Sequence, residues 1–211
     1  MSAMTAARIT PSTPLGLRER KKLKTRISIR EATYRLIEEQ GYDATTVEQI
    51  AEAAEVSPST VFRYFPTKED IVLTDEYDPL LEADLRARPA DEPIVESLRH
   101  VLGRAVGLGF TEAPEEVRLR TRLMVEVPAV RSRMLESMSV TGRMLCRVIA
   151  DRTGREPGDL EVRVFSMSLI GALTEAMAYW AEQGHADDLG ELVNRTMDML
   201  ATGFGSGHGA P

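Results

Sequence analysis

The sequence predicts an all-α protein of about nine helices, in which a short N-terminal bundle is followed by a larger helical domain. Leu, Ala, Glu, Arg and Met are abundant, whereas aromatic residues make up only 5% of the 211 residues. This composition favours helix over sheet. Apolar residues also recur at three- and four-residue spacings along most of the chain. No stretch of useful length alternates between apolar and polar residues as a half-buried strand would.

The first helix is predicted to begin at Leu17 and to stop at Gly41. Residues 1–16 are rich in Ser, Thr, Ala and Pro and are expected to form a disordered arm. Residues 18–35 contain eight basic and two acidic side chains. The buried stripe of the helix is expected to consist of Ile29, Ala32, Thr33, Leu36 and Ile37.

Three short helical starts follow, each marked by a capping residue. Thr45 or Thr46 caps the second helix, with Glu48 or Gln49 placed to complete a capping box. A tight turn precedes the third helix, which Ser57 caps and which ends at Phe65, because Pro66 cannot continue it. Thr67 caps a fourth helix, expected over about 67–86. Two short helices joined by a tight turn and packed on a longer one form a helix-turn-helix, here residues 46–65.

The rest of the chain is predicted to hold five further helices, separated by Pro and Gly. They are expected at about 92–110, 115–126, 128–153, 158–183 and 187–203. Residues 205–211 are expected to form a disordered tail. The stretch 164–181 is apolar enough to raise the question of a membrane span, but it contains Glu175 and is interpreted as a buried helix.

The distribution of charge favours a nucleic-acid partner for the N-terminal part. The net charge is -7, yet residues 1–75 carry eleven basic and eleven acidic side chains, so the acidic excess lies in the remainder. Affinity for nucleic acid depends on the local patch that meets the phosphates. A solvated helix start is the alternative interpretation of such a basic run.

The same survey predicts no enzyme, metal or cofactor. His100, His185 and His208 lack metal-ligand spacing, and there is no glycine-rich phosphate loop. The single Cys146 rules out an internal disulfide and suits a reducing cytoplasm. Residues 1–16 lack the apolar core of a secretory signal. We therefore expect a cytoplasmic protein that does not associate with a membrane.

The third helix has the side chains of a reading helix. Val61 and Phe65 are predicted to point inward, and no acidic residue lies between Ser57 and Pro66. The outer face would present Pro58, Ser59, Thr60, Phe62, Arg63 and Tyr64. Arginine can bind guanine through two hydrogen bonds, hydroxyls can bind phosphates or base edges, and an aromatic ring can pack on a thymine methyl group.

The stretches GYDATTVEQIAEAA (41–54) and VSPSTVFRYFPTKEDI (56–71) resemble the signature of the TetR family of transcriptional regulators, over about residues 23–83. The resemblance implies a DNA-binding domain over residues 17–83. Phosphate contacts would come from Thr46, Ser57, Thr60, Tyr64 and Lys68. Base contacts would come from Pro58, Ser59, Phe62 and Arg63. Simple packing is the alternative interpretation for Phe62 and Tyr64. Two residues depart from the family pattern. Relatives usually have Gly in the turn at the position of Glu55, and they often have Gly at the position of Ser59.

The resemblance also implies that residues 84–204 bind a ligand and form a homodimer through the last two helices. An apolar stripe on the first of these is expected from Leu169, Ala172, Leu173, Ala176, Tyr179 and Trp180, and one on the second from Leu189, Leu192, Val193, Met197 and Leu200. Candidate pocket residues are Phe110, Leu123, Met124, Met134, Met138, Leu145, Phe165, Met167 and Met177, although methionine at helical spacing is more often plain core.

Residues 114–130 and the helix containing Tyr179 and Trp180 are similar to the C-terminal domain of mycofactocin-type TetR regulators, which are associated with acyl-CoA-like ligands. Arg118, Arg120 or Arg122 would then meet phosphates, unless they only keep their helix soluble. The sequence thus predicts a ligand-responsive regulator, by default a repressor, that binds a palindromic operator on double-stranded DNA as a homodimer. The alternatives are a helical adaptor or an enzyme that uses the same fold without binding an operator.

Overall fold

The computed structural model describes residues 16–74 and 78–203, and these residues form ten helices and no strand. The all-α prediction is confirmed. The expected arm (1–16, apart from Gly16) and tail (205–211) lie outside the described residues. The helices are α1 (Leu17–Gln40), α2 (Val47–Ala53), α3 (Pro58–Tyr64), α4 (Lys68–Leu73), α5 (Asp78–Ala87), α6 (Ile94–Glu112), α7 (Pro114–Glu126), α8 (Pro128–Thr153), α9 (Leu160–Glu182) and α10 (Leu189–Thr202).

The chain divides at Thr74 into two compact units. In the N-terminal unit, α1 packs against α2 and α4, and α2 packs against α3. The predicted stop of α1 is confirmed, since Gly41 follows the helix with φ 85°. The buried core of this unit consists of Ile29, Ala32, Ile50, Ala51, Ala54, Val61, Phe65 and Ile71. The inward positions predicted for Val61 and Phe65 are therefore confirmed.

The prediction of one fourth helix over 67–86 was wrong. Helix α4 ends at Leu73, the backbone of Thr74 is extended (φ -69°, ψ 125°), and α5 begins at Asp78. Pro79 gives a physical reason for this interruption. It has no backbone N–H, so a continuous helix would lose a hydrogen bond at that position, whereas proline is tolerated in the first turn of a new helix.

In the C-terminal unit, the five helices predicted beyond residue 90 lie within two residues of their expected bounds. Helix α9 packs against α7, α8 and α10, and α5 packs against α6 and α8. One core cluster is formed by Leu85, Leu98, Val101, Val148, Leu169 and Met197. A second is formed by Trp180, Leu189, Leu192 and Val193. Several residues of the predicted interface stripes are thus core residues of their own chain.

Helix α9 is long and apolar enough, by length and composition alone, to cross a membrane. The same test is passed by core helices of proteins with no membrane association. Here α9 contacts three neighbouring helices, and it carries Glu175 near its middle and Arg163 near its start.

Candidate nucleic-acid interface and ligand cavity

Local hydrogen bonds fix the two short helices of the N-terminal unit. The side chain of Thr46 accepts from the backbone N–H of Gln49, and the Gln49 side chain accepts from the N–H of Thr46 in return. The side chain of Ser57 accepts from the backbone N–H of Thr60. These contacts satisfy N–H groups that a helix start leaves without intrahelical partners. The predicted caps of α2 and α3 are confirmed.

The turn between α2 and α3 requires a left-handed residue, and that residue is Glu55 (φ 55°). The N–H of Val56 donates to the carbonyl oxygen of Ala51 at 2.9 Å and closes the turn. A non-glycine residue costs roughly 1–2 kcal/mol in this conformation. The chain therefore keeps the turn that the family pattern requires, at the expense of some strain.

Helix α3 exposes the face that the sequence predicted. Pro58, Ser59 and Arg63 are exposed, and the large apolar side chain of Phe62 is 50% exposed. Thr60 and Tyr64 are half-buried, and Tyr64 also packs against the core of the unit. The Arg63 guanidinium lies 5.3 Å from the centre of the Tyr64 ring. This face offers hydrogen-bond donors, an aromatic ring and no acidic group, which suits base edges and phosphates.

The hydroxyl groups at the start of α3 are bonded to one another. The oxygen of Ser57 lies 2.9 Å from that of Ser59 and 2.9 Å from that of Thr60. Each hydroxyl has one hydrogen to donate, so the three groups hold a defined arrangement before any ligand arrives. Preorganised hydroxyls lose little conformational freedom on binding.

Lys68 is held by contacts within the N-terminal unit. Its Nζ donates to the carbonyl oxygens of Tyr42 at 2.8 Å and Thr45 at 2.9 Å, and it lies 3.8 Å from the centre of the Tyr42 ring. Burial lowers the pKa of Lys68 below its ordinary value, although Glu69 and Asp43 oppose the shift. The ammonium group therefore ties the start of α4 to the loop before α2. The phosphate contact of Lys68 stays a prediction.

Tyr42 also binds the first turn of α4, because its hydroxyl donates to the Glu69 carboxylate. Burial and this hydrogen bond raise the pKa of Tyr42 above its ordinary range. Burial opposes the ionisation of Glu69, but the hydrogen bonds from Tyr42, Thr67 and the backbone, together with the charge of Lys68, outweigh burial and lower the pKa of the carboxyl group. At neutral pH the pair is therefore a neutral phenol that donates to a carboxylate.

An apolar cavity of about 220 Å³ lies in the C-terminal unit, among α5, α6, α8 and α9. Its polar lining side chains are those of Glu82, Thr141 and Thr174. The carboxylate of Glu82 lies 3.2 Å from Nε of Arg86. The apolar lining comes from Leu81, Leu85, Leu98, Val101, Leu102, Met144, Leu145, Leu169, Ile170, Leu173 and Met177.

Of the candidate pocket residues, Met177 and Leu145 line this cavity. Phe110 lines a second, more polar cleft with Arg118, Trp180 and His185. The structure places neither cavity at Leu123, Met124, Met134, Met138, Phe165 or Met167. The candidates were chosen by residue type, whereas the wall is formed by the facing sides of the helices. One sequence signal could have identified the cavity wall. It is the helical spacing of the apolar residues at 98, 101 and 102 on α6 and at 169, 173 and 177 on α9.

The three arginines of α7 do not line the apolar cavity. Arg118 lines the polar cleft and pairs with Glu115 at 2.6 Å. Arg122 is exposed and lies 3.9 Å from Glu126. In the same cleft, Nε2 of His185 lies 3.1 Å from the hydroxyl of Thr121, and burial together with Arg118 and Arg122 lowers the pKa of His185. In residues 16–74 and 78–203 no group of three or more His, Cys, Asp or Glu side chains is placed to hold a metal ion.

Comparison with known proteins identifies both parts of the chain. Residues 29–74 match the family described as bacterial regulatory proteins of the tetR family. Residues 92–205 match the MftR C-terminal domain, which is a C-terminal domain of TetR proteins. This second match covers more than half of the chain. The chain belongs to the TetR family of transcriptional regulators.

Other members resemble this TetR-family regulator over most of its length. The transcriptional regulator TcmR of Streptomyces glaucescens is 38% identical over 162 residues, which are 73% of this chain and 71% of TcmR. The FadR repressor of Thermus thermophilus, solved with lauroyl-CoA, is 25% identical with a TM-score of 0.55, over 88% of this chain and 98% of its own. FadR of Bacillus subtilis, solved with stearoyl-CoA, is 23% identical with a TM-score of 0.58, over 84% and 98%.

These matches give the helix-turn-helix its role. As a TetR-family transcriptional regulator, the protein binds DNA through α2 and α3. The curated relatives are likewise named as regulators or repressors.

Proposed function

We propose that this TetR-family regulator binds a palindromic operator as a homodimer and is released from it by a small apolar or acyl-type effector. The proposal is supported by the combination, in one chain, of an exposed face on α3 without acidic side chains and an apolar cavity in the C-terminal unit. Because it binds DNA and the family is one of bacterial regulatory proteins, we place the protein in the cytoplasm, where it acts by default as a repressor.

In this proposal Arg63 and Phe62 read bases, together with Pro58 and Ser59. The exposed guanidinium of Arg63 can bind the major-groove edge of a guanine, and the ring of Phe62 suits a thymine methyl group. Thr46, Ser57, Thr60, Tyr64 and Lys68 hold phosphates, which fixes the register of α3 on the duplex.

The proposed dimer forms through α9 and α10. Val164, Met167 and Tyr179 on α9 and Met199 on α10 are large apolar side chains that the single chain leaves exposed. Gly171 lies between these positions on α9, and a Cβ added there would meet open space. Covering this face with a second copy removes apolar surface from water. A two-fold dimer presents two α3 helices to successive major grooves, so the operator should be palindromic.

Selection of bound duplexes from a random pool tests the DNA part of the proposal. We expect a palindrome with half-sites about ten base pairs apart, bound by two chains. With Arg63→Ala, binding should weaken by about 1–3 kcal/mol and the preference for one base pair in each half-site should relax. Exposed Arg143→Ala on α8 is the matched control and should leave both unchanged. Monomeric binding, or selection of no preferred sequence, would contradict the proposal.

The cavity suits the apolar part of an effector. Its volume of about 220 Å³ is below the range of about 300–1,000 Å³ that is usual for ligand sites, so Met144 and Met177 would have to change rotamer to admit a long chain. Among the described residues that line the cavity, only Glu82 is charged, and it is an acid. An anionic head group would therefore stay outside the cavity while the apolar tail enters it.

Coupling to DNA binding is proposed to run through α5, because the fourth helix is interrupted at Thr74. Leu81, Glu82 and Leu85 of α5 line the cavity. The end of α5 is held in place, since Arg152 of α8 donates to the carbonyl oxygens of Leu85 and Arg88. An effector in the cavity would then displace the start of α5, which follows the DNA-binding unit in the chain. The effector would release the operator only if it binds the DNA-incompetent dimer more tightly than the dimer that binds DNA.

Operator affinity measured with and without lauroyl-CoA tests the effector. A saturating ligand should weaken operator binding about 5- to 150-fold, the usual range of allosteric coupling. Thr141→Phe, which fills the cavity, should abolish this response without changing affinity for DNA, and Thr141→Val should keep it. Trp180, the only tryptophan, packs in the same cluster as Met177 and should report binding by fluorescence.

Free CoA and lauric acid are the ligand controls, because they separate the head group from the tail. An unchanged operator affinity with lauroyl-CoA, stearoyl-CoA and lauric acid would overturn the acyl-type effector. An unchanged response in Thr141→Phe would place the effector outside this cavity.

A further inference from the structure

The first turns of α1 form a strongly basic helical segment that precedes residues 29–74, the segment matched by the tetR-family model. This basic extension, residues 17–25, carries Arg18, Arg20, Lys21, Lys22 and Lys24 against a single acid, Glu19. The tetR match begins at residue 29, and the first buried residue of α1 is Ile29. The basic extension therefore contributes no buried residue to the core of the N-terminal unit.

The sequence of the basic extension opposes the helix that it forms. Cations in the first turn meet the positive end of the helix dipole, and like charges three or four residues apart repel one another. Gly16 precedes the helix and gives no side-chain cap. Glu19 pairs with Lys22 at 3.0 Å, while Arg18, Lys21 and Lys24 are exposed and form no ion pair with another described residue. When charges disfavour a helix and its side chains gain no burial in return, a functional reason for those charges is expected.

The position of the basic extension within the unit points to the partner. Arg26, the next residue of α1, lies over the ring of Phe65, the residue that ends α3, at 5.1 Å from its centre. The nine residues before it continue α1 for about 14 Å away from this contact. A row of cations that begins at the end of the reading helix complements the phosphates beside a half-site.

We propose that the basic extension binds the phosphate backbone of the duplex that flanks each half-site, independently of base sequence. This rests on the proposed operator binding. It adds a second DNA contact, made by Arg18, Lys21 and Lys24, whose removal would leave recognition by α3 intact. Counterion release makes each such contact visible as a change in salt dependence.

The test compares a duplex that ends at the two half-sites with one extended by about ten base pairs on each side, which is one helical turn. The wild type should bind the longer duplex at least about tenfold more tightly at low salt, whatever the flanking sequence. Arg18→Gln/Lys21→Gln/Lys24→Gln should bind both duplexes equally. On the longer duplex, the slope of log K against log salt should fall by about 0.9 for each phosphate that the variant no longer neutralises.

Arg131→Gln/Arg143→Gln/Arg147→Gln removes the same charge from exposed positions of α8 and should keep the flank effect. Glutamine supports helix about as well as lysine, and circular dichroism should show equal helix content in all three proteins. Equal affinity of the wild type for the two duplexes would overturn the inference. So would an equal loss of affinity for the longer duplex in the α1 and α8 variants. Failure of the wild type to bind even the half-sites would instead refute the proposed operator binding.

Discussion

Trp180→Ala should lower the free energy of unfolding by about 3–5 kcal/mol, the cost usual for truncating a large buried aromatic side chain. The side chain is only 1% exposed and packs with Leu189, Leu192 and Val193. Its ring meets Phe110 and His185 edge to face, with centres 5.4 and 4.3 Å apart. Its Nε1 donates to the carbonyl oxygen of Asp187 at 2.8 Å. The substitution thus detaches the turn between α9 and α10 from the core.

Urea unfolding followed by far-ultraviolet circular dichroism is the measurement, because Trp180 is the only tryptophan and its fluorescence is lost with it. All variants need the same chain concentration, since a dimer gains stability by mass action. Trp180→Phe keeps a ring but removes the N–H group, and should cost about 1–2 kcal/mol. Leu135→Ala, at a side chain 62% exposed, is the control and should cost less than about 0.5 kcal/mol. Similar losses for Trp180→Ala and Leu135→Ala would contradict the packing described above.

The helix starts of the N-terminal unit were predictable because they are local. Thr46, Ser57 and Thr67 each bond to a backbone N–H three residues ahead, so the sequence pattern contains both partners. The outward face of α3 follows from Val61 and Phe65 for the same reason. The break at Thr74 was missed because the apolar spacing of a fourth helix runs on, whereas the backbone responds to the proline at position 79.

The ligand cavity could not be predicted in the same way, because its wall comes from four helices that are distant in sequence. Residue type suggested Met124, Met134, Met138 and Met167, but the orientation of each helix decides which side chains meet.

The contacts of Lys68 are a second feature that the sequence could not predict. The resemblance implies a phosphate contact, and no local pattern shows that its Nζ is bound by carbonyl oxygens 26 and 23 residues earlier.

Substitution of Arg152 by methionine should cost about 3–5 kcal/mol of unfolding free energy, because it removes a charged donor that several acceptors around the end of α5 share. Its Nη1 donates to the carbonyl oxygens of Leu85 at 3.1 Å and Arg88 at 3.0 Å. Its Nη2 donates to that of Pro89 at 2.8 Å and to the hydroxyl of Ser97 at 2.9 Å. Carbonyl groups at a helix end have no intrahelical partner, so the guanidinium caps the end of α5.

The charge of Arg152 is part of a network at this helix end. Ser97 in turn donates to the Glu92 carboxylate at 2.6 Å, and Arg88 binds the same carboxylate. These hydrogen bonds lower the pKa of Glu92 to about 2. Because this pKa is depressed in the folded state, its contribution to stability is present above pH 4.5 and is lost as the pH falls from there towards 2. The loss caused by Arg152→Met should therefore be measured at neutral pH, where Glu92 is ionised.

Two comparisons separate the geometry of Arg152 from its charge. Arg152→Lys keeps the charge but offers a point donor in place of a planar fork, so it should recover only part of the stability. Arg155→Met removes a nearby exposed arginine, paired with Glu161 at 3.5 Å, and should cost less than about 1 kcal/mol. Equal losses at 152 and 155 would show that Arg152 is not the anchor of α5. If it is the anchor, hydrogen exchange of the amides at 85–92 should speed up in Arg152→Met and stay unchanged in Arg155→Met.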